Sequence, residues 1–417
     1  MSAAESPNAK RLGERFDPFH DPYLADPYAF FAEAQAATPV FYSPQLDYWV
    51  VTRYHDMRQI LQTPQLFSAV NALAPIQPIC PAAGDLLTAG NVRPVPALAN
   101  NDPPAHTRVR RLANVAFTPR RVAMMEPFIR DLTVRFVTER LSRGQADLVR
   151  DLAWELPALV IFRVLGIPDD DVARVKAGAE SRLLFLWGRP TEAEQLRLAH
   201  GMSAFWQYAE ALVAQRARKP QDDFTSDLLL ARDGDAPALT LPEVTTIVYV
   251  LLFVGHETTT NLLGNAFRQL LSARHAWEVL CRDPTLIPNA IEEVLRLDSP
   301  VITWRRKTTQ AVDIGGVTVP ANANVLLLLG AANRDPAVFD NPNHFDIYRA
   351  NAKEHLSFGH GAHFCLGAPL GRLEARVVLE ELSARLPQLR LVPDQTLRFQ
   401  PNTSFRGPLS LLVEWDV

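Results

Sequence analysis

Residues 358–368 read Phe-Gly-His-Gly-Ala-His-Phe-Cys-Leu-Gly-Ala and form the most informative stretch of this 417-residue chain. Gly359 and Gly361 permit a tight backbone turn ahead of Cys365. A helical pattern begins at the next residue, so Cys365 is expected at a helix N-terminus, where the helix dipole and free N–H groups stabilise a negatively charged sulfur. A thiolate held in this way is what a haem iron needs as an axial ligand, and Gly367 leaves room for the flat macrocycle.

The cysteines are open to other interpretations. Most unpaired cysteines are small buried hydrophobic side chains, and this is the interpretation for Cys80 and Cys281. Cys365 would be interpreted in the same way if it stood alone. A zinc hydrolase would need Cys365 together with His360 and His363, but no second cysteine lies nearby, which disfavours a zinc site.

The composition excludes several classes of protein. With 47% hydrophobic residues, the chain is able to bury a large core and is not intrinsically disordered. A net charge of -4 argues against a nucleic-acid binder. Three cysteines cannot form a disulfide framework, and no signal peptide is visible, so a cytoplasmic location is expected. The longest apolar stretch, Ile247–Val254, is too short to span a membrane.

Helical periodicity dominates the middle of the chain, and short strand patterns lie near both ends. This segregation predicts an α+β fold, mainly α, with a large helical region and one small β-rich subdomain that the terminal strands share. Residues 1–15 are expected to be a flexible segment, and residues 16–417 a single domain. The predicted helices are Tyr28–Ala37, Thr107–Ala116, Arg121–Leu141, Leu152–Leu165, Ala193–Arg216, Pro242–Ser272, Ala290–Leu297 and Leu366–Leu386. The predicted strands are Val40–Tyr42, Tyr48–Thr52, Val312–Val319, Val325–Leu329, Leu389–Val392 and Leu409–Val413.

A second motif lies within the longest predicted helix, where residues 254–259 read Val-Gly-His-Glu-Thr-Thr. Gly255 and Thr258 share one helix face, and Gly255 is expected to leave a gap there. The Thr258 hydroxyl is able to bond to the carbonyl one turn back. Together with the Glu257 carboxylate, this arrangement indicates a proton-delivery site. Chance threonines on an amphipathic helix are the alternative.

The spacing Phe358-x-x-Gly-x-His-x-Cys-x-Gly367 resembles the haem-binding loop of the cytochrome P-450 superfamily, and the resemblance extends over nearly the whole chain. It implies the cytochrome P-450 fold and haem b with Cys365 as the iron ligand. It also implies that Phe358, His363 and Gly367 contact the haem. The activity expected from the resemblance is insertion of one oxygen atom from O2 into an organic substrate.

The resemblance assigns roles to the second motif. In the family an acid–alcohol pair lies beside the oxygen, so Glu257 would relay protons and Thr258 would hydrogen-bond the oxygen during its activation. The family usually has Ala or Gly where this chain has Val254, whose extra methyl groups are expected to narrow the groove above the haem. His256 is expected to point away from the haem and to be structural.

Two further motifs support the haem. Glu293-Val-Leu-Arg296 resembles the family's buried Glu-x-x-Arg pair, which Arg349 is expected to complete in a role in folding and haem incorporation. On an ordinary helix the same pair would be solvated and weak. The haem propionates need cationic or hydrogen-bonding partners, and ordinary surface bases are the alternative assignment. By resemblance these partners are His106, Arg110, Arg306 and His363.

Substrate contacts are expected, by family analogy, in four variable stretches. The possible pocket residues among them are Val254, Val301, Ile302 and Phe405, and they indicate a small apolar substrate. Residues 39–53 and 401–408 resemble the haem domains of bacterial self-sufficient fusions, whose members hydroxylate or dealkylate small aromatic molecules. Because those haem domains end near Val417, the chain is expected to be either a stand-alone relative or an excised domain. The four stretches are Ala72–Leu98, Arg182–Phe205, Val301–Trp304 and Thr403–Phe405.

The expected partners are O2, the substrate, and a ferredoxin with its ferredoxin reductase or a similar NAD(P)H-linked electron donor. The segment Pro103–Arg121 holds several arginines and no acid, so a basic face that docks an acidic ferredoxin is expected. A peroxide-driven peroxygenase and a non-enzymatic haem sensor or carrier are the alternatives, although the Glu257–Thr258 pair argues against both. The arginines of the expected basic face are Arg108, Arg111, Arg120 and Arg121.

Overall fold

The structure, a computed structural model, describes residues 6–141, 144–177 and 182–416. Residues 1–5 of the segment expected to be flexible, and Val417, lie outside the described residues. Helices make up most of the rest, as the periodicity indicates. They are α1 (Pro7–Arg15), α2 (Pro27–Ala37), α3 (Tyr54–Gln62), α4 (Pro81–Ala89), α5 (Ala105–Ala116), α6 (Pro119–Ala123), α7 (Glu126–Arg140), α8 (Leu156–Leu165), α9 (Asp169–Ala177), α10 (Arg182–Trp187), α11 (Glu192–Arg218), α12 (Phe224–Leu230), α13 (Leu241–Ser272), α14 (Arg274–Arg282), α15 (Ile287–Leu297), α16 (Leu329–Ala332) and α17 (Ala368–Arg385).

The strands of the described residues are short and form three sheets. The first sheet has the order β1-β2-β8-β5-β3, the second has the order β4-β10-β9, and the third is the hairpin β6-β7. These strands are β1 (Val40–Ser43), β2 (Tyr48–Val51), β3 (Phe67–Ser68), β4 (Gln145–Asp147), β5 (Trp304–Thr308), β6 (Val312–Ile314), β7 (Val317–Val319), β8 (Asn324–Leu327), β9 (Arg390–Leu391) and β10 (Leu412–Glu414).

The small β-rich part of the predicted fold is present, but the terminal strands divide between two sheets instead of sharing one. The N-terminal strand β2 pairs in parallel with β8, with Trp49 opposite Val325. The C-terminal strands β9 and β10 instead pair with each other and with β4. The sequence of β5, Trp-Arg-Arg-Lys-Thr, does not predict a strand because it carries three cations. Strand β4 is only three residues long, which is too short to show an alternating pattern.

The described chain divides into two compact units. The first comprises Met1–Ser68, Glu126–Leu156 and Thr258–Val417, and the second comprises Ala69–Met125 and Pro157–Glu257. Each unit is assembled from stretches that are distant in sequence, so no linker marks a boundary. Helix α13 contributes its first half to the second unit and its second half to the first, and the single domain expected over residues 16–417 stays a prediction.

The N-terminal segment is more ordered than expected. Helix α1 begins at Pro7, and the side chain of Ser6 accepts a hydrogen bond from Ala9 N–H as its N-cap. Leu12 is buried, and the helix packs so closely on β1 that a Cβ added at Gly13 would lie 1.8 Å from the carbonyl oxygen of Tyr42. The expectation of a flexible segment is therefore wrong from Pro7 onward, because three small or apolar positions give this polar helix a buried face.

Two predicted helices are interrupted. The helix predicted over Arg121–Leu141 ends at Ala123 and resumes at Glu126, with Thr118 accepting from Arg121 N–H as the cap of α6. The helix predicted over Leu152–Leu165 is preceded by a π-helical turn, Val149–Ala153. A continuous apolar pattern does not reveal such breaks, since neighbouring turns keep the same face buried.

Helix α13 forms as the sequence predicts. Pro242 lies in its first turn, and Thr240 caps it reciprocally with Glu243: Thr240 N–H donates to the carboxylate at 2.8 Å, and the Thr240 hydroxyl accepts from Glu243 N–H at 3.3 Å. The helix continues without a break to Ser272. No helix of the described residues has both the length and the apolar character needed to cross a membrane.

Glu374 is a buried acid on α17 that no predicted role uses. It is 1% exposed, and the described residues offer its Oε2 no hydrogen-bond partner. Burial raises the pKa of its carboxyl well above the usual range of a glutamate. The folded protein therefore holds a proton there that the unfolded chain releases at lower pH.

This burial makes stability fall as pH rises above the usual glutamate range. Glu374→Gln removes the acid while keeping its shape, so the variant should gain stability over the unmodified protein from pH 5 to pH 8, by at most about 1.4 kcal/mol for each pH unit. Urea unfolding across this pH range measures the difference. Glu139→Gln, at an exposed position of α7, should show no such trend, and a pH-independent difference for Glu374→Gln would contradict the account.

Candidate active site

The cysteine loop folds as its glycines require. Gly359 and Gly361 have φ angles of 71° and 69°, in the left-handed region that favours glycine. A Cβ at Gly361 would lie 2.6 Å from the carbonyl oxygen of Leu61, so this position also needs glycine for space. Cys365 N–H donates to Phe358 O at 2.9 Å, which closes the loop.

Cys365 is presented at the surface of this loop. Its side chain is exposed, whereas Cys80 is buried and Cys281 is half-buried. Helix α17 begins at Ala368, not at the predicted Leu366, so Cys365 precedes the first turn by two residues, and its carbonyl oxygen accepts from Ala368 N–H at 3.4 Å. A Cβ added at Gly367 would meet one atom within 4 Å, the sulfur of Cys365, at 3.9 Å. A flat cofactor is thus able to approach the thiol.

The donor set around Cys365 fits a haem iron. No group of three His, Cys, Asp or Glu side chains in the described residues is placed to hold a metal ion. His360 lies 2.9 Å from the side chain of Gln62. A single thiol just before the N-terminus of α17, beside a glycine at which a Cβ would meet only that sulfur within 4 Å, would suit a haem iron, and Cys365 would be its protein ligand.

Arg372 on α17 supports the start of the loop. Its guanidinium lies 4.5 Å from the ring centroid of Phe358 and bonds to both carboxylate oxygens of Glu292, at 2.6 and 2.8 Å. His355 reaches the same carboxylate through Nε2 at 3.2 Å while its Nδ1 accepts from Ser357 N–H. Burial opposes ionisation of Glu292, but Arg372 and His355 lower its pKa to about 2. The sequence does not predict this group because its members lie up to 80 residues apart.

The structure brings together Glu293, Arg296 and Arg349. Arg296 bonds to both carboxylate oxygens of Glu293, at 2.7 and 2.8 Å, and Arg349 Nε lies 3.1 Å from the same group. Glu293 and Arg296 are fully buried. The remaining guanidinium N–H groups donate to backbone carbonyls, those of Arg296 to Asn333, Pro342 and His344 and those of Arg349 to Asp340, Asn341 and His344. The predicted contact is present, while its role in haem incorporation remains a prediction.

Glu257 and Thr258 are consecutive residues of α13 with different exposure. Glu257 is 5% exposed and Thr258 is half-buried. His256 is buried, and the structural role expected for it stays a prediction. The gap expected at Gly255 is filled in the structure, because a Cβ there would lie 2.6 Å from Cγ1 of Ile161. The glycine thus permits close packing of α8 on α13, and that part of the prediction is wrong.

The residues expected to hold the propionates divide between the two units. In the second unit, His106 is buried on α5, and Arg110 Nε donates to Asn114 Oδ1 at 3.1 Å. In the first unit, Arg306 is 2% exposed on β5 and donates to Arg305 O at 2.8 Å, and His363 is half-buried in the loop before Cys365. A buried arginine is chemically suited to bind a carboxylate such as a haem propionate.

Two of the predicted substrate stretches meet in the first unit. Val301 forms a β-bridge with Phe405, and Ile302 N–H donates to Ser404 O at 2.7 Å. Ile302 and Phe405 are 3% and 5% exposed, so apolar side chains dominate this junction. In the second unit, Val254 is half-buried on α13.

The expected basic face is largely neutralised. Arg108 bonds to Glu243. The segment Pro103–Arg121 contains no acid, and its sequence does not reveal this pair because Glu243 lies 135 residues away. Two of the other arginines are paired as well, and Arg120 is exposed. The face is therefore much less positive than the sequence indicates. The further pairs are Arg111 with Asp233 and Arg121 with both Asp222 and Asp227.

Comparison with known proteins adds independent findings. The family model described as cytochrome P450 matches residues 282–396. Cytochrome P450 monooxygenase PikC of Streptomyces venezuelae is 35% identical over 94% of this chain and 92% of its own length. The 6-deoxyerythronolide B hydroxylase of Saccharopolyspora erythraea is 37% identical over 90% of this chain and 91% of its own length.

Solved structures are similar over the whole chain. An intact type IV self-sufficient cytochrome P450 monooxygenase has a TM-score of 0.94 and 39% identity, and the match covers 99% of this chain and 53% of that one. The P450 haem domain of Tepidiphilus thermophilus has a TM-score of 0.92 and 39% identity, with 98% of both chains covered. Cytochrome P450 CREJ in complex with (4-ethylphenyl) dihydrogen phosphate has a TM-score of 0.92 and 38% identity, over 97% of this chain and 100% of that one.

Proposed function

Since this chain belongs to the cytochrome P450 family, we propose that it hydroxylates or oxidatively dealkylates a small apolar organic substrate with electrons from a redox partner. It is an oxidoreductase of the monooxygenase class, it has the cytochrome P450 fold, and its cofactor is haem with a cysteine thiolate ligand. The observation that carries the proposal is the loop that presents Cys365, in which Gly359 and Gly361 adopt positive φ angles and Cys365 N–H donates to Phe358 O.

The residues of the chain divide the work of the reaction. When bound, the haem activates O2 with two electrons, so that one oxygen atom enters the substrate and the other leaves as water. Cys365 would hold the iron and increase its electron density. The Glu257 carboxylate would pass protons inward from solvent, and the Thr258 hydroxyl would hold one at the reacting oxygen. The propionates would bind His106, Arg110, Arg306 and His363.

We place the substrate against the apolar junction of Val301, Ile302 and Phe405. Val301 is half-buried and able to contact a substrate, while Ile302 and Phe405 are almost fully buried, and none of the three carries a counter-charge, which favours an uncharged substrate. The similar structure of CREJ holds (4-ethylphenyl) dihydrogen phosphate, whose ring is an alkyl-substituted benzene, and another similar structure is an intact type IV self-sufficient cytochrome P450 monooxygenase. These likenesses support an alkyl-substituted aromatic compound as the substrate class.

We propose a ferredoxin with its NAD(P)H-linked reductase as the electron donor. The pairing of Arg108, Arg111 and Arg121 with acids leaves Arg120 as the main cation of the basic face that the sequence suggested. Charge reversal at Arg120 should therefore weaken donor docking modestly. The effect of this substitution should fade as salt is raised, because exposed charges are screened.

The acid–alcohol pair separates a monooxygenase from a peroxygenase. Glu257→Gln and Thr258→Ala should each lower the rate of ferredoxin-driven product formation by about 100-fold, because proton delivery is lost. The amount of product formed per O2 consumed should fall as well. Peroxide-driven product formation, which needs no such delivery, should change little. The substrate for the assay is chosen by haem spin-state shift from a panel of alkylphenols and aryl alkyl ethers.

Thr245→Ala makes the same change about three and a half turns earlier on α13 and should leave both rates unaltered. The peroxygenase would be favoured by two results together. The unmodified protein would form product faster with peroxide than with reduced ferredoxin, and neither Glu257→Gln nor Thr258→Ala would change either rate. Substrate binding without product under either condition would favour a haem sensor or carrier.

A further inference from the structure

Asn265 on α13 is a buried amide that joins two separate chain segments. It is 0% exposed, and its Nδ2 donates to Asp298 O and to Arg406 O, both at 2.9 Å. Asp298 lies three residues before Val301, and Arg406 directly follows Phe405. One side chain of the helix thus fixes the backbone on both sides of the apolar junction.

The two segments move as one body because they are bonded to each other. Besides the Val301–Phe405 bridge, Arg406 N–H donates to Pro300 O at 3.0 Å. The Thr303 hydroxyl donates to Thr403 O at 2.8 Å. We call residues 300–303 and 403–406 the pocket wall. A shift of either segment would break several buried hydrogen bonds, each costly to leave unmade.

The wall approaches α13 too closely to slide along it. A Cβ added at Gly407 would lie 2.4 Å from Oδ1 of Asn261. One turn further on, a Cβ at Gly264 would lie 3.1 Å from the ring of Pro408. The helix and the wall therefore interlock through glycines on both partners, on the same stretch of helix that carries Asn265.

Asp298 anchors the far end of the wall. Tyr28 donates to its Oδ1 at 2.7 Å, Gln269 donates to its Oδ2 at 3.2 Å, and Arg268 bonds to the same oxygen. Burial opposes ionisation of Asp298, but Arg268 and Arg406 lower the pKa of its carboxyl. The anchor thus remains charged and bonded at neutral pH.

We propose that Asn265 is a positioning residue that sets the distance between the pocket wall and Thr258, and thereby limits which substrates reach the oxygen. Thr258 lies on the same helix, two turns or about 10 Å before Asn265. Since both the wall and Thr258 are fixed to one rigid helix, the space between them has a set depth. This inference rests on the proposed function, because it takes Thr258 to mark the reacting centre.

Two azoles of different reach test the inference in the haem-loaded protein. Imidazole binds the iron without reaching the wall, whereas the ring of 4-phenylimidazole extends into the space that the wall bounds. Asn265→Ala removes both hydrogen bonds that tie the wall to α13, so it should weaken binding of 4-phenylimidazole by about tenfold. The affinity for imidazole should stay within about twofold of that of the unmodified protein, because imidazole does not contact the wall. This limit corresponds to a free-energy change below about 0.4 kcal/mol. Both Kd values are read from the shift of the Soret band.

Asn289→Ala is the matched control. Asn289 on α15 also donates from Nδ2 to two backbone carbonyls, those of Ile347 and Arg349, at 2.7 and 3.2 Å. Its replacement should leave the ratio of the two azole affinities unchanged. If Asn265→Ala does not fold, Asn265→Ser retains a polar group and should show the same selective loss.

Hydrogen exchange gives a readout that does not depend on ligand binding. In the Asn265 variants the amides of Ile302 and Arg406 should exchange faster, while that of Leu326 in β8 should not. Equal weakening of both azoles, or an unchanged affinity for 4-phenylimidazole, would overturn the inference while leaving the proposed function intact. If imidazole itself fails to bind the iron of the unmodified protein, the proposed function fails and the inference fails with it.

Discussion

Glu293→Gln should destabilise the protein by about 3–5 kcal/mol and prevent stable haem incorporation, because it removes the charge that balances two buried arginines. Arg296 is fully buried and Arg349 is 7% exposed at its side chain, so neither guanidinium is able to recover hydration without opening the loop between Asn333 and Arg349. The same carboxylate also accepts from Asp346 N–H at 3.0 Å, so its loss weakens the loop directly. Urea unfolding of the apoprotein and the haem-to-protein ratio after purification measure the two effects.

The control for this substitution is an exposed pair of the same kind. Glu278 bonds to Arg274 one turn away on α14 at 2.9 Å, with both side chains at least 40% exposed. Glu278→Gln should cost no more than about 0.5 kcal/mol and should leave the haem content unchanged. A cost for Glu293→Gln close to that of the control would mean that the buried cluster does not hold the fold.

Cys365→Ser should abolish ferredoxin-driven product formation while leaving the fold intact. In the apoprotein the side chain is exposed, unlike a core cysteine, so the free energy of unfolding of the apoprotein should change by less than about 0.5 kcal/mol. A serine hydroxyl remains protonated at neutral pH and cannot supply the negative sulfur that favours cleavage of the O–O bond. Product formation per haem and urea unfolding measure the two expectations.

Cys80→Ser and Cys281→Ser serve as controls, since these side chains lie in the packed interior or at its edge. Both variants should retain activity per haem, even if Cys80→Ser lowers stability. Equal activity in Cys365→Ser and the unmodified protein would remove Cys365 from the reaction.

The parts of the site that could be predicted from the sequence depend on residues close together in the chain. The two glycines of the loop Phe358–Cys365 predict its turn. Glu293 and Arg296 lie one turn apart on a helix, so their contact follows from their spacing. The long helix could also be predicted, since its capping pair and Pro242 mark its start. Arg349 was the exception, because its position came from a resemblance and not from spacing.

The features that could not be predicted depend on partners distant in the sequence. The space at Gly255 is filled by Ile161, 94 residues earlier, and the charge of Arg108 is balanced by Glu243. Asn265 looked like an ordinary polar residue on a helix, although it holds carbonyls from two other segments. Short strands such as β4 carry too few residues for a period to be read.

The carbon monoxide spectrum of the ferrous protein tests the central claim most directly, since it reports the ligand opposite the carbon monoxide. The unmodified protein should give the red-shifted Soret band of a thiolate-ligated haem, and Cys365→Ser should lose it while Cys80→Ser and Cys281→Ser keep it. A thiolate-type band that survives in Cys365→Ser, or that is absent from the unmodified protein after expression with added haem, would contradict the account.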